Sequence, residues 1–462
     1  MALNFSPRIG FNWDITGDRK IILRGGTGIF FSRIPNVWLA SQPNNSNVSQ
    51  TIYTKWGDDV PNGITFPRFE TNQSVYNEIL GILKKADPSA FDVEPKASEN
   101  TCVIDKNLVA PYSWKSSLAV DFKLPYNFEI SIEGIYKKDY KPLVADNKTI
   151  YYDGKKTIQL SKNDVRKVYD AYQKENCFYL TNAGSGSYYT SINLNVKKEF
   201  NKNFDASVNF TYSNAKIIND GSSTQLSALY NFGAPSVNGV NEHELGYANY
   251  ISPYRILANV GYKFYYGKRE TWGTHINLIY DGSQLGFFND GSGFYMASRY
   301  SYLLNDNFVN DRASSNLMYI PATKDELTFI ANNNVSAEQQ REAFWNFVEQ
   351  DSYLSKHKGE YAKRNGAVMP WHHQFDIHIN EEYNFSIKKR PQCFEFGLDI
   401  INVTNLICSK WGNYMVVNTT NPLSYHKDSN AYTFNTENKK TFSKYEDLKS
   451  TYQIIFNLKY KF

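Results

Sequence analysis

The last eleven residues of the chain alternate between apolar and polar side chains. One set of alternate positions is polar, with Ile455 as the exception: Gln453, Asn457, Lys459 and Lys461. The other set is apolar throughout: Tyr452, Ile454, Phe456, Leu458, Tyr460 and Phe462. Because successive side chains of a strand point to opposite faces, the pattern predicts a strand with one apolar and one polar face. A tilted strand needs about 9–11 residues to cross a bilayer, and this segment has that length.

The same alternation recurs in ten further segments. In residues 203–213, Phe204, Val208 and Phe210 share one face, opposite Asp205 and Asn209. The other segments are 9–15, 19–31, 113–124, 128–137, 188–200, 254–266, 271–281, 372–387 and 392–404. A polar lumen accepts charges at every second position, whereas a soluble core does not. The pattern predicts an all-β fold, an antiparallel transmembrane β-barrel of about eleven strands; a large soluble β-sandwich or propeller with one solvated face is the alternative.

The connections between these segments alternate in length. Short turns are predicted near 16–19, 125–127, 201–203, 267–270 and 388–392, and long segments at 32–112, 140–187, 214–253, 282–371 and 405–450. Bacterial barrels have short periplasmic turns and long extracellular loops, which places the C-terminus in the periplasm and the long loops outside. Capping patterns predict short helices within these loops, at 161–175, 336–348 and 74–86.

The number of strands matters because the first and last of eleven antiparallel strands run in the same direction. Single-chain bacterial barrels have even strand numbers. Eleven is half of twenty-two, the strand number of plugged outer-membrane transporters. We therefore expect residues 1–462 to form an incomplete half of a twenty-two-stranded barrel, with no pairing between residues 8–15 and 452–462.

Composition agrees with a barrel. Aromatic residues make up 16% of the chain although the mean hydropathy is −0.53, and no apolar run reaches the roughly 18 residues of a transmembrane helix. Fifty Lys and Arg against 46 Asp and Glu give a net charge of +4, too balanced to indicate nucleic acid or anionic lipid as a partner. The N-terminus lacks the basic and apolar regions of a secretory signal peptide, so we expect the front of the protein to be missing.

Several segments, in this order, resemble the barrel of the Oar-like TonB-dependent transporters of Bacteroidetes: PRIGFNWD (7–14), RGGTGIFFSRIPNVWL (24–39), NLMYIP (316–321), PWHHQFDIHI (370–379), DIINVTNL (399–406) and KWGNY (410–414). The resemblance covers the second half of that family's twenty-two-stranded barrel. It implies that the plug, the TonB box and the signal peptide lie outside this chain.

The resemblance implies TonB-dependent transport of a bulky ligand across the outer membrane, as part of a larger receptor. The implied partners are outer-membrane lipid, the missing barrel half and plug, TonB through the missing region, and the barrel assembly machinery. A surface adhesin or binding barrel without energised transport is the alternative. We expect no enzymatic activity, because no Ser/His/Asp grouping lies on one face of one predicted strand.

Candidate sites are few, and we expect no catalytic or cofactor-binding residue. Asp306, Asn310 and Asp311 resemble a family loop of alternating oxygen ligands that suits Ca²⁺, although Phe308 replaces one oxygen-bearing position, and a polar loop without metal is the alternative. Trp38, Trp56, Trp345 and Trp411 lie in predicted loops, where they either stack on a ligand or pack the loops together. His372 and His378 share a strand face with Asp376, which predicts a polar ladder along the lumen. The resemblance further implies that Tyr460 and Phe462 form the C-terminal signal read during barrel assembly.

Deletion of Phe462 from the full-length protein is expected to lower the yield of heat-modifiable, membrane-inserted barrel, because the terminal aromatic residue is part of the predicted assembly signal. Phe462→Tyr keeps the aromatic ring and is the control with normal assembly. The measurement compares the gel mobility of unheated and heated membrane samples. Normal insertion of the deletion variant would count against an outer-membrane barrel.

Overall fold

Eleven long strands of the computed structural model form one antiparallel sheet. Residues 4–44, 73–86 and 100–462 are described, apart from 185, 220, 222–224, 290–292, 305, 307–308, 314–315, 333 and 389. The strands are β1 (Arg8–Asp14), β2 (Ile21–Phe31), β3 (Tyr112–Leu124), β4 (Phe128–Tyr140), β5 (Tyr188–Glu199), β6 (Phe204–Ile217), β7 (Tyr254–Tyr266), β8 (Trp272–Gln284), β9 (Trp371–Ile387), β10 (Arg390–Ile401) and β11 (Gln453–Lys461). Each is hydrogen-bonded to the next in chain order. All eleven predicted strands are confirmed, and so is the alternation of short turns and long loops.

The register of the sheet separates an apolar face from a polar face. Directly opposed apolar pairs include Val196 with Val208 and Leu278 with Ile377. On the other face Arg24 Nε lies 2.8 Å from Asp121 Oδ2. Further ion pairs on this polar face join Lys123 to Glu129, Arg255 to Asp281, His378 to Asp399, and Lys459 to Glu395. Directly opposed side chains stabilise a sheet when both are apolar or when their charges are opposite. The separation into an apolar and a polar face along each strand therefore continues across the sheet.

The sheet is open at both ends. Among the described residues, β1 pairs only with β2 and β11 only with β10, and no hydrogen-bonded pairing joins residues 8–15 to 452–462. The two edge strands run in the same direction, because ten successive antiparallel steps separate them. The predicted absence of closure is therefore confirmed for this chain.

The glycine run of β2 has a packing role. A Cβ atom added to Gly25 would lie 2.9 Å from the carbonyl oxygen of Ser117 and 3.0 Å from a ring carbon of Phe11. Glycine therefore lets the ring of Phe11 cover the backbone of the neighbouring strand on the apolar face.

Within the described residues, five α-helices lie in the long loops: α1 (Asn36–Asn44), α2 (Gln73–Ala86), α3 (Leu226–Phe232), α4 (Ala337–Gln350) and α5 (Val403–Ile407). The predicted helices at 74–86 and 336–348 are confirmed. α4 begins with a capping box, in which the Ser336 hydroxyl accepts the N–H of Gln339 and the Gln339 side chain accepts the N–H of Ser336. None of the helices in the described ranges has the length and apolar character needed to cross a membrane.

Short strands make up much of the remaining loop structure: Asn100–Ile104, Leu143–Asn147, Ile150–Tyr151, Thr157–Gln159, Val165–Lys167, Asp170–Ala171, Asn176–Asn182, Gly246–Tyr247, Gly286–Asn289, Phe294–Ala297, Arg299–Tyr300, Leu303–Leu304, Asn316–Leu317, Ala367–Val368, Met415–Val417, Leu423–His426, Ala431–Phe434 and Phe442–Lys444. One of them, Gly246–Tyr247, extends the large sheet beside β6.

The prediction of a helix at 161–175 is wrong. Thr157–Gln159 and Val165–Lys167 form an antiparallel hairpin there, and the Ser161 hydroxyl accepts the N–H of Asp164 within its turn. Arg166 stabilises this hairpin, because its fully buried guanidinium pairs with Asp164 at 2.7 Å and donates to the carbonyl oxygen of Leu317 at 2.8 Å. A contact 151 residues away in sequence overrides the local capping signal.

The apolar core lies in the loops rather than in the sheet. One cluster joins α4 to the loops that precede β9 and β11, with Met318, Ile320, Phe344, Val348 and Tyr432 fully buried. A second cluster joins Trp38, Phe178 and Tyr230 from three different loops. We call these packed segments the loop cap. The cap stands at the long-loop end of the sheet and is held by hydrophobic contacts between segments that are distant in sequence.

Val208→Arg is expected to destabilise the barrel by about 2–4 kcal/mol if Val208 faces lipid near mid-membrane. Asn209→Arg, one residue along β6, is the matched control and is expected to be nearly silent because its side chain lies on the polar face. The free energy of unfolding from lipid vesicles measures both. Equal effects at the two positions would contradict the assignment of faces.

Candidate functional site at the long-loop end of β9 and β10

Three of the sequence motifs meet at one place. PWHHQFDIHI forms the start of β9, DIINVTNL forms the end of β10 and α5, and KWGNY forms the loop that follows. The strands bring the first two motifs side by side, with His378 opposite Asp399 and Ile377 opposite Ile400. This junction connects the barrel wall to the loop cap.

Polar side chains of β9 form a hydrogen-bonded ladder on the polar face. His372 Nε2 lies 3.4 Å from Oε1 of Gln374, and the amide of Gln374 donates to Asp376 at 3.0 Å. His378, further along the strand, pairs with Asp399 of β10. The lumenal ladder predicted for His372, Asp376 and His378 thus has Gln374 as an additional member.

Asn402 ends β10 in the left-handed conformation, with φ 56° and ψ 51°. Its N–H donates to Asp376 at 2.7 Å, and its side-chain amide donates to the carbonyl oxygen of Gly412 at 2.7 Å. Asn405 donates to the carbonyl oxygen of Trp411 at 2.9 Å. The strand predicted to reach residue 404 therefore stops at Ile401, and the two asparagines hold the 409–415 loop against the barrel wall.

Tyr414 carries that loop over the polar face. Its ring stacks on the ring of His372, with centroids 3.7 Å apart, and its N–H donates to Ser450 at 3.1 Å. His372 is buried beneath it. The ring contact joins the loop to β9, and the bond to Ser450 connects the loop to the segment that precedes β11.

A polar cavity of about 200 Å³ lies at this contact. Arg255 and Asp281 form a two-point ion pair in its lining, at 3.1 and 2.7 Å, and Ser283, His372 and Tyr414 complete one side. The lining offers a guanidinium, a carboxylate, hydroxyls and an imidazole. Such a cavity can hydrogen-bond a small polar group.

The imidazole of His372 in this cavity makes no hydrogen bond to a hydroxyl nucleophile among the residues that the structure describes. Nδ1 of His372 lies 3.3 Å from the carbonyl oxygen of Asn413, and its Nε2 faces the Gln374 amide rather than a serine hydroxyl. A catalytic imidazole needs contact with its nucleophile and an orienting partner.

The sequence profile of the outer membrane beta barrel domain family matches residues 2–422. The chain belongs to this family. Membership places the sheet in the outer membrane, where the apolar face meets lipid and the polar face lines the lumen. The ladder and cavity therefore lie on the lumenal side, directly beneath the cap.

Solved structures with similar topology include the outer membrane transporter YddB from Escherichia coli, at 10% identity and a TM-score of 0.41 over 98% of this chain and 40% of that one. The siderophore receptor PirA from Acinetobacter baumannii has 11% identity and a TM-score of 0.37, over 87% and 37%. The FrpB iron transporter from Neisseria meningitidis has 10% identity and a TM-score of 0.37, over 87% and 35%. The chain thus spans about two fifths of the length of these proteins. A comparison with curated protein sequences found no match.

The calcium candidates lie in the loop between β8 and β9, part of which (305 and 307–308) is outside the described residues. The buried carboxylate of Asp311 accepts the N–H groups of Ala313 and Val240, both at 3.0 Å, and burial raises its pKa while these two bonds oppose the rise. Asn310 donates its side-chain amide to the carbonyl oxygen of Tyr169, and Asp306 is half-buried. No three His, Cys, Asp or Glu side chains group as metal ligands within the described ranges. Calcium stays a prediction.

The tryptophans occupy different environments. Trp38 is buried in the second cluster of the cap, and the ring of Trp345 lies 4.9 Å from the ammonium of Lys358. Trp411 is 56% exposed, whereas Trp56 lies outside the described residues. Of the two residues predicted to form the assembly signal, Tyr460 stacks on Phe394 at 4.8 Å, and Phe462, which follows β11, is 93% exposed.

Asn402, Asn405 and Tyr414 are structural residues of this site that were not predicted from the sequence. A signal was present, because DIINVTNL and KWGNY were among the motifs that carried the family resemblance. Their joint role could not be read from spacing alone, since it depends on backbone carbonyl groups that the fold brings to the two asparagines.

Asn402→Ala is expected to release the 409–415 loop. The variant loses the bond to Gly412, worth about 1 kcal/mol, and places alanine in the left-handed region at a cost of about 1–2 kcal/mol. Faster tryptic cleavage after Lys410, mapped by mass spectrometry, measures the release. Asn402→Gly loses the side-chain bonds without the backbone strain and should be intermediate.

Asn203→Ala is the control for this test, because Asn203 makes the same type of amide-to-carbonyl bond, to Lys263 at 2.7 Å, at the short-turn end of the sheet. Its cleavage after Lys410 should match that of the wild type. Unchanged cleavage in Asn402→Ala would show that the loop is held by other contacts.

Proposed function

We propose that the chain forms part of the wall of a wide outer-membrane transporter, as one portion of a larger TonB-dependent receptor for a bulky ligand. The observation that carries the proposal is the open, eleven-stranded antiparallel sheet whose edge strands run in the same direction. Antiparallel closure of such a sheet needs an odd number of further strands. Eleven more would give twenty-two, the number found in plugged outer-membrane transporters.

The lumenal surface supports this proposal. Charged side chains on several strands make this face suitable for contact with water. Their charges are balanced in ion pairs such as Arg24 with Asp121 and Arg255 with Asp281. A barrel of this width is too large for its own side chains to fill, so that it encloses a channel or a plug. We propose that the missing portion supplies the remaining strands, the plug and the segment that TonB engages.

Orientation follows from the same proposal. The short turns and the C-terminus would lie in the periplasm, and the loop cap outside the cell, as is general for bacterial barrels. The terminal residues Tyr460 and Phe462 would be read by the barrel assembly machinery. The Oar-like, Bacteroidetes character rests on the sequence motifs.

The cap favours a second candidate, a surface adhesin or binding barrel without energised transport. Its two buried clusters make the loops a folded body with its own core, which presents a defined external surface. We propose a non-enzymatic role in both cases, because His372 contacts Gln374 and Asn413 rather than a serine hydroxyl or an orienting carboxylate.

Planar-bilayer conductance of the full-length protein, purified with any chain that accompanies it, tests the transporter proposal. The expected result is a low conductance in buffer and a large, reversible conductance in urea, because a plug unfolds before a hydrogen-bonded barrel. A narrow closed barrel would show no large conductance in either solution, which would overturn the transporter proposal in favour of the adhesin.

TonB dependence is tested separately by binding of the purified periplasmic domain of TonB to the same preparation. Saturable binding is expected. A large urea-induced conductance without TonB binding would contradict the energised part of the proposal and leave a passive pore.

A further inference from the structure

A groove of about 730 Å³ opens on the apolar face of β9, on the opposite side of the strand from the polar ladder. Trp371, His373 and Phe375, at alternate positions of β9, form its floor. The 409–415 loop forms its wall, with Trp411 and Met415, and Lys444 closes one end. The volume falls within the range of small-molecule sites, about 300–1,000 Å³.

Aromatic residues surround this groove, a composition typical of the membrane interface of barrels. Trp371 stacks on Tyr254 of β7, with centroids 6.5 Å apart, and Phe375 packs on Tyr280 of β8 at 4.8 Å. Tyrosine and tryptophan concentrate where hydrocarbon gives way to headgroups. Beside the groove, α5 leaves Leu406 42% and Ile407 72% exposed. Such apolar exposure next to an aromatic belt is expected where a surface contacts lipid.

The charge of the groove is of one sign. Lys410 and Lys444 are its charged residues, and its lining contains no Asp or Glu. Lys444 Nζ lies 3.4 Å from the carbonyl oxygen of Ser409, and neither ammonium group has a carboxylate within 4.0 Å in the part of the chain that is described. Two ammonium groups above an apolar floor match an anion that carries a hydrocarbon chain.

We propose that this groove binds a phosphorylated lipid of the surrounding leaflet. The phosphate lies between Lys410 and Lys444, and one acyl chain follows the face formed by Trp371 and Phe375. Asn402 and Asn405 are positioning residues, because they hold the loop that carries Lys410 and Trp411. The proposal does not depend on transport, since it concerns the lipid-facing side of the wall.

Tryptophan quenching by dibrominated phosphatidic acid tests the proposal with the full-length protein in neutral detergent micelles. Bromine on the acyl chain quenches Trp371 and Trp411 if the chain occupies the groove. Saturable quenching is expected for phosphatidic acid, and only weak, non-saturable quenching for dibrominated phosphatidylcholine. Equal quenching curves for the two lipids would overturn the proposal, whatever the behaviour of any variant.

Lys410→Gln/Lys444→Gln is expected to raise the Kd for phosphatidic acid by about 25-fold, since each basic residue at an anionic lipid surface contributes roughly fivefold. Lys410→Arg/Lys444→Arg keeps both charges and should bind within about twofold of the wild type. Lys155→Gln/Lys427→Gln removes two exposed loop lysines outside the groove and is the matched control. Heat-modifiable mobility verifies that each variant is folded. An unchanged Kd in the groove variant would refute the site.

Inorganic phosphate distinguishes a lipid site from a small-anion site. The expected result is that millimolar phosphate leaves the quenching by phosphatidic acid largely intact, because the acyl chain supplies much of the affinity. Full displacement by inorganic phosphate would show that the two lysines bind any phosphate and would contradict the role of Trp371 and Phe375.

Discussion

The structure depends on one constraint, the need of every backbone N–H and C=O group inside the bilayer for a hydrogen-bond partner. Water is absent there, and each unsatisfied group costs several kcal/mol. Within the sheet the constraint is met by ten antiparallel ladders. It is not met at the outer edges of β1 and β11, which lack partners among the described residues. The proposed larger barrel follows from these two edges more than from any side chain.

The barrel wall and the loop cap are stabilised by different interactions. The wall has no apolar core of its own, because one face meets lipid and the other meets water, so that its order comes from backbone hydrogen bonds and cross-strand pairs. The cap is held by the burial of residues such as Met318, Ile320 and Phe344 and by the buried pair of Arg166 with Asp164. The junction at His372, Asn402 and Tyr414 couples the two, because its contacts reach from β9 into the loops.

Strand β9 presents different chemistry on its two faces. Even positions from His372 to His378 carry the lumenal ladder, and odd positions from Trp371 to Phe375 form the floor of the lipid-facing groove. The 409–415 loop contributes to both, since Tyr414 covers the ladder while Trp411 lines the groove. A change in the position of this loop would therefore alter the lumenal cavity and the outer surface together.

The eleven strands, their two faces and the alternation of short turns with long loops could all be predicted from the sequence. Alternation of polar and apolar residues shows which face of a strand meets water, and each face keeps the same environment along the whole strand. Two of the three predicted loop helices were confirmed for a related reason, since their signals are local. Three features depend on contacts between segments that are distant in sequence and could not be predicted: the hairpin at 157–167, the end of β10 at Ile401 and the meeting of three motifs at one site. Arg166 depends on the carbonyl group of Leu317, and Asn402 depends on that of Gly412. Such partners are brought together only when the long loops pack on one another.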